Sequence, residues 1–433
     1  MSPNTTATLG LIFLFVLMAL RMPVSFAMIL AGFLGNAYII STDAAIYMLA
    51  TNVWGQLSSY GLSVIPMFVL MGQFAYHSGI TERLYDAAYK WVGRLPGGLA
   101  ITTLLSSAGF AAICGSNSAA TATMGTIALP QMRKYGYDRA LSTGTVAIGG
   151  TLGVVIPPSV VLIIIAVQTE QSITPLFIAC IVPGLFLTLI FISIVFWLCI
   201  QNPNLGPPGS KTEMREKLIS LTGVAEAMIL FLLVIGGLYA GWFTPTEAGA
   251  AGSFGALLIG LARRKLSKQG FAKAVTETIR ISAMVVMLIT GAVIFGKFLT
   301  VTRLPFELAD WAAKLNVPRE IILLVVLLIY LVGGCLMDAL GFLVVTIPIF
   351  FPLSQALGFN PVWFTVVITL VTTMGAVTPP VAVNIYIVKG LSPGVPIETI
   401  FRGTLIFLIA YVICLVLLFI FPEMALFLPK FLR

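Results

Sequence analysis

Two short stretches of this chain interrupt apolar helix-length sequence with residues that break helices. They are Gly149-Gly150-Thr151-Leu152-Gly153-Val154-Val155-Ile156-Pro157-Pro158-Ser159 and Thr372-Thr373-Met374-Gly375-Ala376-Val377-Thr378-Pro379-Pro380. Proline removes an N–H donor and clashes with the preceding turn, while glycine permits unwinding, so carbonyls at these places lose their intrahelical partners. Deep in a membrane such carbonyls must find other partners. A bound cation is one, and the opposing half-helix N-termini can accept an anion. Two further clusters carry hard oxygen donors, Gly115-Ser116-Asn117-Ser118 and Gly333-Gly334-Cys335-Leu336-Met337-Asp338. Asp338 stands alone among apolar residues, where an ionised carboxylate is costly unless it meets a cation, faces a wet cavity or caps a helix.

Other candidates weaken on inspection. Gly291 to Lys297 reads GAVIFGK, but Phe298 replaces the Ser or Thr of a phosphate loop and no strand precedes it. His77 is the only histidine, so it forms no metal cluster or dyad with another. Glu170, Glu226 and Glu247 read as ordinary interfacial carboxylates at or near helix ends. Five cysteines lie singly in apolar segments, without zinc-site spacing or the pairing of a disulfide framework. With no catalytic cluster, the chain does not read as an enzyme.

The elements that must position these residues are transmembrane helices. Hydrophobic residues make up 59% of the 433 and charged residues only 9%, with a mean hydropathy of +1.05, too little polar surface for a water-soluble globule. Apolar runs of about 20 residues, enough to cross about 30 Å of hydrocarbon, recur from end to end. The net charge of +8 comes from basic residues in short loops, without the aromatic-interleaved patch of a nucleic-acid binder, so nucleic acid is not an expected partner.

The Pro-Pro pairs lie 222 residues apart (157 to 379), and the same offset aligns Gly136-Tyr137-Asp138 with Gly358-Phe359-Asn360, Thr151 with Thr373 and Gly153 with Gly375. The chain therefore reads as two homologous halves, residues 1–200 and 231–433, joined by a cytoplasmic linker and the start of the next helix over 201–230. Basic loops at 81–95 and 132–139 flank one apolar segment. If both are cytoplasmic, that segment is a re-entrant hairpin over about 97–131, and the repeat predicts its match at about 321–351. The broken helices cover about 140–168 and 361–389. Crossings at 9–20, 24–40, 53–78, 140–168 and 173–200 make five in the first half, and an odd number inverts the second. Segments 81–94 and 303–316 read as amphipathic helices bracing the hairpins, and the small residues of Gly249 to Gly260 as a close-packing face.

These motifs resemble a known family. GSNSAATATMGTIALPQMRKYGYD (Gly115 to Asp138), GGTLGVVIPPS (Gly149 to Ser159), GAVTPPVAVNIY (Gly375 to Tyr386), IPMFVLMGQFAYHSGI (Ile65 to Ile80) and GRLPGGLA (Gly93 to Ala100) look like the large membrane subunit of tripartite ATP-independent periplasmic (TRAP) transporters. The resemblance implies an all-α polytopic protein of the bacterial inner membrane, with an elevator-type transport domain moving against a scaffold. It implies sodium as the coupling ion, without other cofactors, and uptake of a small carboxylate such as a C4-dicarboxylate or sialic acid. The implied partners are a small membrane subunit, expected as a separate chain, and a periplasmic substrate-binding protein. The alternative is a stand-alone sodium-dependent anion transporter.

Carried onto this sequence, one sodium site joins Ser116 and Asn117 to carbonyls near Gly153 and Ile156. A second joins Met337 and Asp338 to Thr373, Gly375 and Thr378. Ser118, Thr121, Pro157, Pro158, Pro379 and Asn384 are the implied substrate contacts.

Overall fold

A computed structural model describes residues 3–315 and 317–431. The outermost residues of the two expected halves, and Asn316 at the end of the expected helix over 303–316, lie outside it. The described chain is all α-helical, an all-α polytopic membrane protein.

The helices run in order α1 (Pro3–Ala19), α2 (Val24–Ile39), α3 (Thr42–Leu57), α4 (Val64–His77), α5 (Ile80–Val92), α6 (Gly98–Cys114), α7 (Asn117–Lys134), α8 (Arg139–Val155), α9 (Val160–Thr169), α10 (Ile173–Gln201) and α11 (Met214–Phe231). A π-turn over Leu232–Gly236 carries α11 into α12 (Gly237–Tyr239). Then come α13 (Pro245–Ala262), α14 (Lys268–Val301), α15 (Leu304–Lys314), α16 (Arg319–Leu336), α17 (Ala339–Ala356), α18 (Pro361–Gly375), α19 (Val383–Leu391), α20 (Ile397–Leu405), α21 (Leu408–Ile420) and α22 (Glu423–Leu426). Among the described residues seven helical segments are long and apolar enough to cross a membrane, or eight if α3 and α4 count as one bent span. Their lipid-length faces expose large apolar side chains such as Leu189, Ile229 and Ile409, which only a bilayer would cover.

Capping follows the repeat. Asp138 caps α8 by accepting from Leu141 N–H at 2.9 Å, and Asn360, 222 residues on, caps α18 by accepting from the N–H groups of Val362 and Trp363. Gly136 and Gly358, two residues before each cap, both take positive φ. Ser116 caps α7 and its counterpart Asp338 caps α17.

The halves differ where their sequences differ. The expected crossing over 53–78 is instead two helices, α3 and α4, bent by 50° around Ser58–Ser59, whereas its counterpart α14 runs unbroken for 34 residues. Gly61 and Pro66, beside the bend, correspond to Ala283 and Leu288, which favour helix.

Close backbone approach knits α2 to α14 and α4 to α13. A Cβ on Gly32 would fall 2.9 Å from the Ile294 carbonyl, and one on Gly249 would fall 2.9 Å from Met67 Cβ. The small-residue face of α13 thus packs on α4 within this chain. The amphipathic helix α5 lies between α11 and the hairpin helix α6, and α15 lies against α17. The linker after α10 clamps the foot of the first hairpin. Gly97 N–H donates to Gly206, Asp138 N–H to Leu205, and Gly209 N–H to Gly93.

Candidate ion and substrate site

Helices α6 and α7 form a hairpin whose turn is Gly115, in the left-handed region at φ +63°. This tip meets the first interruption directly. Val160 N–H donates to the Gly115 carbonyl at 3.1 Å, and a Cβ on Gly115 would fall 2.6 Å from the Pro158 carbonyl. Gly153 is equally constrained, since its Cβ would lie 2.6 Å from the Ser116 carbonyl. Ser116, Gly153 and the Pro157-Pro158 segment are therefore brought together. Ile156, extended at the C-cap of α8, is buried beside them.

The second hairpin, α16 and α17, meets the second interruption in a related way. Val381 and Ala382 N–H groups donate to the Cys335 carbonyl at 3.2 and 3.0 Å, and a Cβ on Gly375 would fall 2.5 Å from the Gly334 carbonyl carbon. The contact is thus at Gly334–Cys335, just before the tip. Thr373 and Thr378 turn their hydroxyls onto their own helix and turn, donating to the Thr369 and Met374 carbonyls. The carboxylate of Asp338 accepts from Leu340 N–H at 3.2 Å, and the residue lines the cavity between the two hairpin tips.

Asp338 faces across to the first hairpin. A cavity of about 100 Å³ is lined by Ser116, Asn117 and Ser118 from one tip, Asp338 and Ala339 from the other, and Gln73 and Met284 from α4 and α14. Met337, at the C-cap of α16, stands beside it in sequence and is half-buried.

A buried amide pair lies behind this cavity. Asn384 Nδ2 donates to Asn117 Oδ1 at 2.7 Å and to the Ala147 carbonyl at 2.9 Å, joining α19 to α7 and α8. Asn117 Nδ2, Asn384 Oδ1 and the Ser159 hydroxyl are buried without a hydrogen-bond partner in the protein. Thr121, against Gly150, donates to the Asn117 carbonyl. The two prolines pairs differ in setting: Pro157 and Pro158 are buried, Pro379 and Pro380 exposed.

This arrangement offers a carboxylate, hydroxyls, amides and backbone carbonyls around one cavity, with no nucleophile–base pair. Donors of these kinds are suited to hard cations and to hydrogen-bonded anions. Residues 11–424 match the family model described as tripartite ATP-independent periplasmic transporter, DctM component. The chain belongs to this family of TRAP large permeases.

It is 32% identical over 395 residues to the C4-dicarboxylate TRAP transporter large permease protein DctM of Pseudomonas aeruginosa, covering 91% of this chain and 92% of the relative. It is 31% identical over 411 residues to the sialic acid TRAP transporter large permease protein SiaM of Vibrio cholerae, covering 94% and 95%. Among solved structures, the YdaH transporter of Alcanivorax borkumensis shares the fold at a TM-score of 0.61 and 15% identity, over 88% of this chain and 90% of that one.

Sequence reasoning missed several polar residues of this TRAP permease. Ser159 gave no signal beyond its place after the prolines. Glu226 read as interfacial, yet it is buried and paired with Arg83 and Arg263, its Oε1 2.8 Å from the latter's guanidinium. Arginines at 83 and 263 become its neighbours only through the packing of α5 and α13 on α11.

Proposed function

We propose that this large permease carries out sodium-coupled uptake of a small organic carboxylate, working with a small membrane subunit and a periplasmic binding protein in the bacterial inner membrane. The observation that carries the reading is the shared cavity, where Asp338 from one hairpin and Ser116, Asn117 and Ser118 from the other converge. One sodium ion is held by Ser116 and Asn117 with carbonyls near Gly153 and Ile156. A second is held at Met337 and Asp338 with Thr373, Gly375 and Thr378. The substrate is met by Ser118, Thr121, Asn384 and the backbone around Pro157, Pro158 and Pro379. The cation beside Asp338 offsets the cost of holding a carboxylate among apolar helices.

The relatives' named cargoes are C4-dicarboxylates, sialic acid and isethionate, all small organic anions, and the first two support a small carboxylate as the cargo class. Uptake is to be measured in proteoliposomes holding this chain with its small subunit and binding protein. Uptake of the binding protein's ligand should follow an inward sodium gradient and need no ATP. Uptake that persists unchanged without sodium removes the coupling, and uptake without the binding protein supports a stand-alone transporter instead.

A further inference from the structure

The pseudo-symmetry of the two halves also fails at the ends of the second broken-helix segments, and a cavity lies there. At the C-terminal end of α9, Gln168 Nε2 donates to the Val344 carbonyl of α17 at 3.2 Å, and Gln171 Nε2 donates to Thr365 Oγ1 of α18 at 3.1 Å. These bonds latch the second hairpin and its broken helix together. By the 222-residue offset, Gln168 corresponds to Gly390, Gln171 to Pro393 and Thr365 to Thr143. Glycine and proline have no side chain that can donate there, so no latch forms. The gap between α7, α8 and the end of α19 is a cavity of about 1020 Å³.

Its lining is basic. Arg133, Lys134 and Arg139 line it with Thr126 and Thr143, and no carboxylate does. All three cations are exposed, and the six ion pairs among the described residues involve none of them. Lys389 adds charge at the rim, where its Nζ binds the Pro393 and Val395 carbonyls. The adjacent acid, Asp138, is committed to capping α8. A concave site lined by one sign of charge raises the local concentration of counter-ions.

Gly125, Thr126, Leu129 and Arg133 of α7 line the cavity, and Asn117 lies about two turns N-terminal to Gly125 on the same helix. Leu391 packs over Gly125, where a Cβ would meet its Cδ1 and the Val146 side chain.

We propose that this cavity is a carboxylate-binding vestibule on the cytoplasmic face, where Arg133, Lys134 and Arg139 receive the cargo anion. The cytoplasmic placement follows from the basic loops, and the identity of the anion rests on the transport reading above. A phosphate oxyanion, from a lipid headgroup, shares this chemistry, so the test separates the two.

Thr126→Cys places one accessible thiol in the vestibule, while the five native cysteines are buried. In phosphatidylcholine proteoliposomes, an anionic methanethiosulfonate reagent reaching the basic face should modify it about tenfold faster than a cationic one, after correction for intrinsic reactivity. Arg133→Gln with Arg139→Gln should remove most of that preference, and Arg133→Lys with Arg139→Lys should keep it. If the glutamine pair does not fold, raising salt from about 20 to about 500 mM on the unaltered arginines should collapse the preference. Succinate should slow the modification.

No anion preference, or a preference indifferent to both the arginines and salt, overturns the vestibule. A rate that ignores succinate but falls when phosphatidylglycerol is added assigns the site to lipid and overturns the cargo reading. Modification requires no transport, so a chain that keeps the succinate-sensitive preference yet shows no sodium-driven uptake sinks the transport reading alone.

Discussion

Asn117 and Asn384 are 267 positions apart in the chain and share one buried hydrogen bond. Replacing Asn384 with leucine leaves Asn117 Oδ1 and the Ala147 carbonyl without that donor. The expected cost is about 1–3 kcal/mol, read as a lower midpoint of thermal unfolding in detergent. A variant as stable as the parent would show that water replaces the amide fully. Asp338 behaves differently, because it lines the cavity and its cap to Leu340 N–H survives in an amide. Asp338→Asn should therefore fold normally and raise the sodium concentration for half-maximal uptake about tenfold or more, as expected when a carboxylate is lost from a cation site. Normal uptake at limiting sodium would leave Asp338 with capping alone. Polar residues and Pro-Pro pairs inside apolar runs are costly, which made both hairpin tips and both interruptions legible in the sequence. The partner of each polar atom was not legible, because Asn384 finds Asn117 only through the packing of α19 on α7.

The same limit appears between elements. Apolar length and the 222-residue offset mark most helices in the sequence, but the bend between α3 and α4 falls inside the segment 53–78, which reads as one crossing because both pieces are apolar. Glu226 reads as an ordinary interfacial carboxylate in the sequence because its partners lie 143 and 37 residues away. In the structure it ties α5, which lies beside the first hairpin, to α11 and α13. Removing one member of such a pair leaves two arginines facing each other without the acid between them. Glu226→Gln should lower stability by about 1.5–3 kcal/mol, with faster proteolysis in the loop between α4 and α5. An unchanged melting midpoint and cleavage pattern would show that water screens the cluster. Gly153→Ala tests hairpin packing in the same way. Its methyl would collide with backbone at Ser116, so the hairpin tip must shift, and uptake should fall at least about tenfold while expression persists, as for a misplaced binding group.

At the scale of the whole molecule, the packing divides the helices into two sets. Helices α2 with α14, and α4 with α13, pack through close glycine approaches, and Gly72 of α4 packs on Cys114 of the first hairpin. Both hairpins and both interruptions are joined by other bonds, including Gly115 to Val160, Cys335 to Ala382 and Asn117 to Asn384. Those bonds satisfy polar groups among apolar helices, so separating the hairpins would strand several of them at once. Moving the whole block strands none of them, because these bonds lie within it, and its boundary with α4 and α14 at the cavity is mostly apolar, with Val69, Ile281, Met284 and Val285 beside Gln73. These bonds favour a proposed motion in which the hairpins and broken helices move as one rigid block against the scaffold, biased by ion and cargo binding that would differ between the two ends of travel. Spin labels at exposed positions test this. The distance from Ser118 on the first hairpin to Phe254 on α13 should shift by several ångströms, of the order of one helical turn, between sodium-loaded and sodium-free protein. The distance from Ser118 to Leu336 on the second hairpin should stay nearly constant. Labels in which Ser118 and Leu336 separate while Ser118 and Phe254 hold still would replace the moving block with a gate that opens between the hairpin tips.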